Sequence, residues 1–181
     1  MASFSNPASQ ARDNAAAYVK LLMDLLGDRD PFEVQSQQFA ALQAEIAGID
    51  DATLRRPEQP GKWSILQVIQ HLADSEVVSR YRMRMILAQP TPDIQGYDQD
   101  LWATHLNYHE MDLREALEII RVLRAANLKM LRGLNKTQLE RSGMHSERGP
   151  ESVRKILQMV AAHDILHLNQ IRRIKKAHGL T

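Results

Sequence analysis

The sequence predicts an all-α protein whose long helices pack as an antiparallel bundle. Apolar residues recur at spacings of three and four over long stretches, and few runs show the alternation typical of strands. Residues that cap or break helices separate these stretches from one another. With 181 residues, 44% of them apolar, the chain is long enough to form one domain with a substantial core.

The N-terminal half of the bundle begins with two helices. The first is predicted over about residues 8–27 and ends at a glycine, the residue most common just after a helix. Asp30, Pro31 and Glu33 supply an N-cap, a proline at the first helical position and a capping box. They predict a second helix over about residues 31–48.

A third helix is predicted after a linker that contains several helix breakers. Ser64 and Gln67 form a capping box for a helix over about residues 64–89. The following segment, about 90–111, is rich in helix breakers and aromatic residues and is long for a connection, which is typical of functional segments. It is predicted to contain a short helix over about 98–109.

Two more long helices complete the bundle. Asp112 and Glu115 form a capping box for a helix over about residues 113–134, and a single turn is predicted near 137–140. A proline then opens the last helix, over about 150–176. The first helix is treated as an N-terminal extension within residues 1–30, and the bundle domain is predicted to occupy residues 31–181.

Composition narrows the classes of function. The chain has no cysteine, which excludes disulfides, thiolate nucleophiles and cysteine-based zinc or iron–sulfur sites. Acidic and basic residues nearly balance at a net charge of +1, which argues against a nucleic-acid partner. The sequence has no secretory signal pattern and no apolar run long enough to cross a bilayer, so we expect a soluble, cytoplasmic protein without a membrane partner.

Two histidines in the last predicted helix are spaced as metal ligands often are. His163 and His167 stand four residues apart and therefore project from the same helix face. Both lie at one flank of the apolar face, where Gln170 joins them, and Asp164 lies near the centre of that face. Spacing alone leaves two interpretations equally open, a pair of metal ligands or two hydrogen-bonded core histidines.

The other histidines show how weak such spacing is by itself. His105 and His109 are also four residues apart, but they lie in the irregular segment, where a structural or peripheral role is preferred. His145 lies among helix breakers and His178 at a helix end, so both are interpreted as surface residues. None of these four is therefore a candidate ligand.

A metal site made by the protein needs a third ligand, and His71 is the best candidate. It lies at the border of the apolar face of the third predicted helix. Gln67, Asp74 and Ser75 share that border at helical spacing. This polar strip indicates either a cavity inside the bundle or a solvated edge of the helix.

Two blocks of sequence carry a resemblance to a known family. They are "GKWSILQVIQHLADSE" at residues 61–76 and "HDILHLNQIRRI" at residues 163–174. Together they resemble the DinB/YfiT-like superfamily of metal-binding four-helix bundles. The segment "GYDQDLWA" at residues 96–103 is similar to the connecting segment of many members. The resemblance covers about residues 31–176, which is most of the chain.

The resemblance implies a fold and a metal site. The fold would be a four-helix bundle with a long crossover, in up-down-down-up order. The site would use His71, His163 and His167 to bind a divalent ion, often zinc or nickel, with water completing the coordination. The resemblance also implies a homodimer.

Such a site suits two chemistries, since three neutral histidines with an open position are typical of catalytic zinc. One is hydrolysis by water activated on the metal, and the other is attack on an electrophile by a low-molecular-weight thiol activated there. We therefore expect a metal-dependent enzyme acting on a small molecule, either a thiol-dependent S-transferase or a hydrolase. The alternative is a non-catalytic scaffold, for binding or stress response, that the metal stabilises.

Two further side chains are assigned roles at this site. Asp164 is interpreted first as a carboxylate that orients a histidine and second as a base. Gln170 is expected to hydrogen-bond bound water or substrate. The aromatic residues Tyr97, Trp102 and Tyr108 either wall the pocket or belong to the core.

Overall fold

Helices account for most of the computed structural model, which describes residues 11–180. Between the long helices lie three short ones, a turn of 3₁₀ helix at Tyr108–Glu110 and three short strands. In chain order the elements are α1 (Ala11–Leu26), α2 (Pro31–Ile46), α3 (Asp51–Arg55), α4 (Ile65–Ala88), β1 (Asp93–Ile94), α5 (Gln99–His105), α6 (Leu113–Arg132), α7 (Lys136–Leu139), β2 (Ser142–His145), β3 (Gly149–Ser152) and α8 (Val153–Ala177).

Four of these helices, α2, α4, α6 and α8, form the bundle. Each packs against two others, so that the order around the bundle is α2, α8, α4, α6. All four helices contribute buried aliphatic side chains to one core cluster, among them Leu42, Ile69, Ile120 and Ile171. The prediction of an all-α four-helix bundle with a long crossover is confirmed.

The N-terminal helix α1 lies against the outside of α8. Leu22 and Leu26 are buried there against Ala161 and Ala162, whose small side chains let the two helices approach closely. The first three residues of the helix predicted over about 8–27 lie outside the described part of the chain. The division of the chain into an extension and a bundle domain at residue 30 stays a prediction.

Side-chain caps begin the helices largely as the sequence predicted. Ser64 and Gln67 make the reciprocal hydrogen bonds of a capping box at α4, and Asp112 accepts from two backbone N–H groups at α6. Two helix starts differ from expectation. Asp50 caps the short helix α3 inside the predicted linker, and Asn135 caps α7, whose single turn at Lys136–Leu139 lies one residue before the turn predicted near 137–140.

A small three-stranded sheet is the main departure from the predicted fold. β2 pairs with β1 in parallel and with β3 in antiparallel fashion, in the order β1-β2-β3. The prediction that Pro150 opens the last helix is therefore wrong. Pro150 lies in the edge strand β3, where a missing N–H is tolerated, and Ser152 caps α8 instead.

Over residues 11–180, no helix combines the length and the apolar character needed to span a membrane.

We predict that Gly143→Ala destabilises the protein, because a Cβ at Gly143 would lie 2.7 Å from the carbonyl oxygen of Pro92 and 2.8 Å from Cδ1 of Ile94. Forcing β1 away from β2 should lower the free energy of unfolding by about 1–3 kcal/mol, as overpacking usually does. Urea denaturation measures this change. Met144→Ala, at an exposed position of the same strand, is the control and should change stability by less than about 0.5 kcal/mol. Equal stability of both variants would contradict the prediction.

Candidate metal centre

Three histidines from two neighbouring helices converge at one point of the bundle. His71 comes from α4, and His163 and His167 come from successive turns of α8. The Nε2 atom of His163 lies 3.0 Å from Nε2 of His71 and 3.0 Å from Nε2 of His167. One ligand atom from each ring lies within 4.8 Å of the others. The structure therefore brings together the three ligands predicted from the sequence.

The position of His163 fits a shared cation better than a set of hydrogen bonds. Each imidazole nitrogen has a single in-plane site, which holds either a proton or a lone pair. Nε2 of His163 can therefore make one good hydrogen bond, whereas it has two nitrogen neighbours at 3.0 Å. Three lone pairs directed at one ion satisfy all three rings. Nitrogens about 2.0–2.1 Å from zinc can be this close to each other.

Burial keeps these three rings neutral, as metal ligands must be. His71 and His167 are buried and His163 is half-buried. Desolvation lowers the pKa of His71 and of His163 well below the usual value for histidine, and it lowers the pKa of His167 to about 4. Their nitrogen lone pairs are consequently available at neutral pH.

Gln170 orients one of the three histidines. Its Oε1 atom lies 2.8 Å from Nδ1 of His167, so Nδ1–H of the ring donates to the amide oxygen. This hydrogen bond leaves the lone pair of His167 on Nε2, which faces the other two rings. The orienting role that the sequence analysis gave to Asp164 thus belongs to Gln170.

The carboxylate of Asp164 is instead bound by an arginine. Its two oxygens accept from Nη1 and Nη2 of Arg124 at 2.6 and 3.0 Å, so the expectation that Asp164 orients a histidine is not met. Nε of Arg124 also donates to Oε1 of Glu76 at 2.7 Å. The sequence analysis missed this cluster, although Arg124 stands four residues after Ile120 and four before Leu128, on the apolar face of its helix.

A series of contacts runs from His71 through two aromatic rings to a carboxylate. The ring of Trp63 lies 5.0 Å from that of His71 and 6.4 Å from that of Tyr108. Tyr108 is fully buried, and its hydroxyl donates a short hydrogen bond to Oδ2 of Asp74. Burial raises the pKa of Asp74. Because Asp74 follows His71 by three residues, it lies one helical turn away on the same face of α4.

Two of the three aromatic residues singled out in the sequence, Tyr97 and Trp102, contact each other with their rings tilted by 44°. The rings of Tyr97 and Trp102 lie 4.5 Å apart, and Ser75 is within 3.4 Å of the Tyr97 hydroxyl. Ser75 stands one turn after His71 on α4. Trp63 lies against the ring of His71, and Tyr108 lies against Trp63.

The remaining histidines lie apart from the cluster. His105 and His109 are exposed, in agreement with the peripheral role predicted for them. His178 caps the C-terminal end of α8. His145 is buried in β2, so its interpretation as a surface residue is wrong, and desolvation lowers its pKa to about 4. The sequence predicted a loop where β2 lies.

Comparison with known proteins identifies the family. A sequence profile of the DinB superfamily matches residues 36–171, which include the three histidines. The chain belongs to the DinB superfamily. The helix α1 precedes the matched region.

Other proteins similar to this DinB-superfamily chain carry functional names. One from Oceanobacillus iheyensis is 30% identical over 135 residues, which are 75% of this chain and 78% of that protein. YfiT of Bacillus subtilis is 27% identical over 138 residues, which are 74% of this chain and 78% of that protein. Each is named a "putative metal-dependent hydrolase".

A solved structure supports the same fold. The structure of Bacillus subtilis YfiT, described as a four-helix bundle of unusual topology, matches with a TM-score of 0.75. The match covers 100% of this chain and 94% of that chain at 22% sequence identity. The three-histidine cluster of this DinB-superfamily member is compatible with a divalent metal ion.

We predict that alanine at His71, His163 or His167 abolishes binding of a divalent ion by this DinB-superfamily protein, because two imidazoles hold an ion far less tightly than three. Protein stripped with a chelator and reloaded with zinc should retain about one ion per chain, measured by mass spectrometry of the metal. His105→Ala and His109→Ala are matched controls. Each removes one histidine from the exposed pair that has the same four-residue spacing. Full metal content in the His163→Ala protein would contradict the prediction.

We also predict that the metal-free protein loses stability as the pH falls from about 6.5 towards 4. The pKa of His145 and of His167 is lowered to about 4 in the folded state, and burial lowers those of His71 and His163 as well. The unfolded chain binds protons at these residues near pH 6.5, where the folded chain does not. Stability therefore rises with pH across this interval, by at most about 1.4 kcal/mol per pH unit for each histidine.

Urea denaturation at several pH values in the presence of a chelator measures this slope. The variant His145→Asn, outside the candidate metal site, should show a shallower slope because it removes one of the buried groups. Stability that is constant between pH 5 and 6.5 would refute the account of the buried, neutral histidines.

Proposed function

We propose that this protein is a metal-dependent hydrolase that acts on a small molecule, with a zinc or nickel ion held by His71, His163 and His167. The observation that carries the proposal is the convergence of three neutral imidazoles, with Nε2 of His163 3.0 Å from each of the other two. Three histidine ligands leave a coordination position open, as in catalytic rather than structural zinc sites. The names of the curated relatives support the same class of activity.

An ion bound there would supply Lewis-acid chemistry, by polarising a substrate carbonyl and lowering the pKa of water. Residues of the chain would orient the histidine rings for such an ion. Gln170 holds the proton of His167 on Nδ1, and the ring of Trp63 packs against His71 with the ring centres 5.0 Å apart. Both contacts fix the orientation of a ligand ring before substrate binds.

Asp74 is the carboxylate best placed to take up a proton. Asp164, the base considered from the sequence, has both oxygens engaged by Arg124. Asp74 is half-buried, lies one turn after His71, and accepts from the Tyr108 hydroxyl and, at 3.4 Å, from Nε2 of Gln70. Burial raises its pKa, which moves a carboxylate towards the range of a general base. We therefore assign proton transfer to Asp74, with Tyr108 as its hydrogen-bond partner.

Three further expectations from the sequence stay predictions. They are the homodimer, the cytoplasmic location and the absence of nucleic acid among the partners. A thiol cosubstrate would make the same site an S-transferase, so the test of the hydrolase includes thiols.

We predict that zinc-loaded or nickel-loaded protein hydrolyses an activated ester such as 4-nitrophenyl acetate without added thiol. His163→Ala and chelation should remove this activity. Asp74→Asn should lower kcat by about 10²-fold or more while the metal content stays unchanged, since a neutral amide cannot accept the proton. Release of 4-nitrophenolate measures the rate, and Asp93→Asn, an exposed carboxylate distant in sequence from the ligands, is the control.

Two other outcomes would replace the proposal. Activity that requires glutathione or cysteine, measured with 1-chloro-2,4-dinitrobenzene as electrophile, would indicate thiol transfer. If neither assay shows activity and chelation only lowers the melting temperature, the metal stabilises a non-catalytic scaffold.

A further inference from the structure

The guanidinium of Arg124 joins all four helices of the bundle. From α6 it binds the carboxylate of Asp164 on α8 with two hydrogen bonds and that of Glu76 on α4 with another. Nη1 also donates to the backbone carbonyl of Gln35 on α2 at 3.3 Å. Arg124, Glu76 and Asp164 are 5%, 2% and 1% exposed, so these contacts lie deep in the bundle.

Both carboxylates stand close in sequence to the metal-ligand histidines. Asp164 directly follows His163 on α8. Glu76 follows His71 by five residues on α4, which corresponds to about 7.5 Å along the helix axis. The distance between His71 and His163 depends on how far α4 and α8 are displaced along each other. Arg124 contacts one residue near each ligand and therefore connects the two helices that carry the site.

Apolar packing alone leaves this displacement loosely defined. Burial of apolar surface is non-directional, so several small shifts of one helix along another bury similar areas. A paired arginine and carboxylate bind through a planar fork whose hydrogen bonds require a particular direction. The Nη1 and Nη2 bonds to Asp164, at 2.6 and 3.0 Å, have this form.

We infer that Arg124 is a positioning residue for the metal site, which holds His71 at the separation from His163 and His167 that metal binding requires. This inference rests on the proposed function. Metal–ligand distances tolerate changes of about 0.2 Å, which is much less than a helix bundle tolerates before it unfolds. Arg124 therefore controls metal affinity and coordination geometry beyond any contribution to stability.

The alternative is that the cluster only stabilises the fold, and the two roles can be separated. Replacing a whole buried ion cluster by apolar residues of similar volume often leaves a protein as stable as before, whereas removing one member does not. The triple variant Glu76→Leu, Arg124→Met and Asp164→Leu should accordingly keep the fold but lose the directional contacts. Arg148→Met is the matched control, because Arg148 forms another shielded ion pair, with Glu151, in the hairpin of β2 and β3.

The experiment measures three quantities for wild type, the triple variant, Arg124→Lys and Arg148→Met. They are the melting temperature of the metal-free protein, the Kd for zinc in competition with a chelator, and the visible absorption spectrum after cobalt loading. We expect the triple variant to bind zinc about 10- to 100-fold more weakly, with a changed cobalt spectrum, at a melting temperature close to that of wild type. Arg148→Met should keep the wild-type affinity and spectrum even if it melts earlier.

The result that overturns the inference is a folded triple variant with the wild-type Kd and cobalt spectrum. If that variant does not fold, Arg124→Lys decides, because lysine keeps the charge but lacks the planar fork. A folded Arg124→Lys protein with unchanged affinity and spectrum would overturn the inference equally. Wild-type protein that binds neither zinc nor cobalt would overturn the proposed function, and the inference with it.

Discussion

The interaction that aligns the four bundle helices along one another, and with them the candidate metal site, is the pairing of Arg124 with Glu76 and Asp164 in the middle of the bundle. Charged groups removed from water are costly to bury unless they are paired and hydrogen-bonded, and loss of one partner costs about 3–5 kcal/mol. Arg124 meets this requirement only when α2, α4, α6 and α8 are all in place, since each supplies a partner atom or the guanidinium itself. The cluster therefore selects one arrangement of the helices from several that would bury the same apolar residues.

The candidate metal site is a consequence of that arrangement. His71 and His163 belong to different helices and are 92 residues apart in sequence, yet their Nε2 atoms lie 3.0 Å apart. Such a short distance between two neutral nitrogens is favourable only when a proton or a cation lies between them, and His163 has two such neighbours. The hydrogen bond from His167 to Gln170 directs a lone pair to the same point.

Much of the fold could be predicted from the sequence, because local signals specify it. Helical spacing of apolar residues and the capping box of Ser64 and Gln67 determine where the long helices lie. The three histidines that converge were also singled out in the sequence. The spacing of His163 and His167 was equally compatible with core histidines, the polar strip of α4 suggested His71 as a third candidate, and the resemblance joined the three. Local signals were sufficient for the helices because each acts within one or two helical turns.

The features that the sequence did not predict depend on contacts between distant residues. Asp164 meets Arg124 across 40 residues, and nothing in its local pattern distinguishes an arginine partner from a histidine. The strands β2 and β3 are four residues long and contain Gly143, Gly149 and Pro150, which read locally as helix breakers. Only their pairing with each other and with β1 makes them strands, and this pairing buries His145.

The central claim is that His71, His163 and His167 together bind one divalent ion. Anomalous diffraction at the zinc absorption edge, from crystals of zinc-loaded protein, tests it most directly. The account predicts one anomalous peak about 2.0–2.1 Å from Nε2 of each of the three rings. A zinc peak bound elsewhere, for example at His105 and His109, with no density among the three rings, would contradict it.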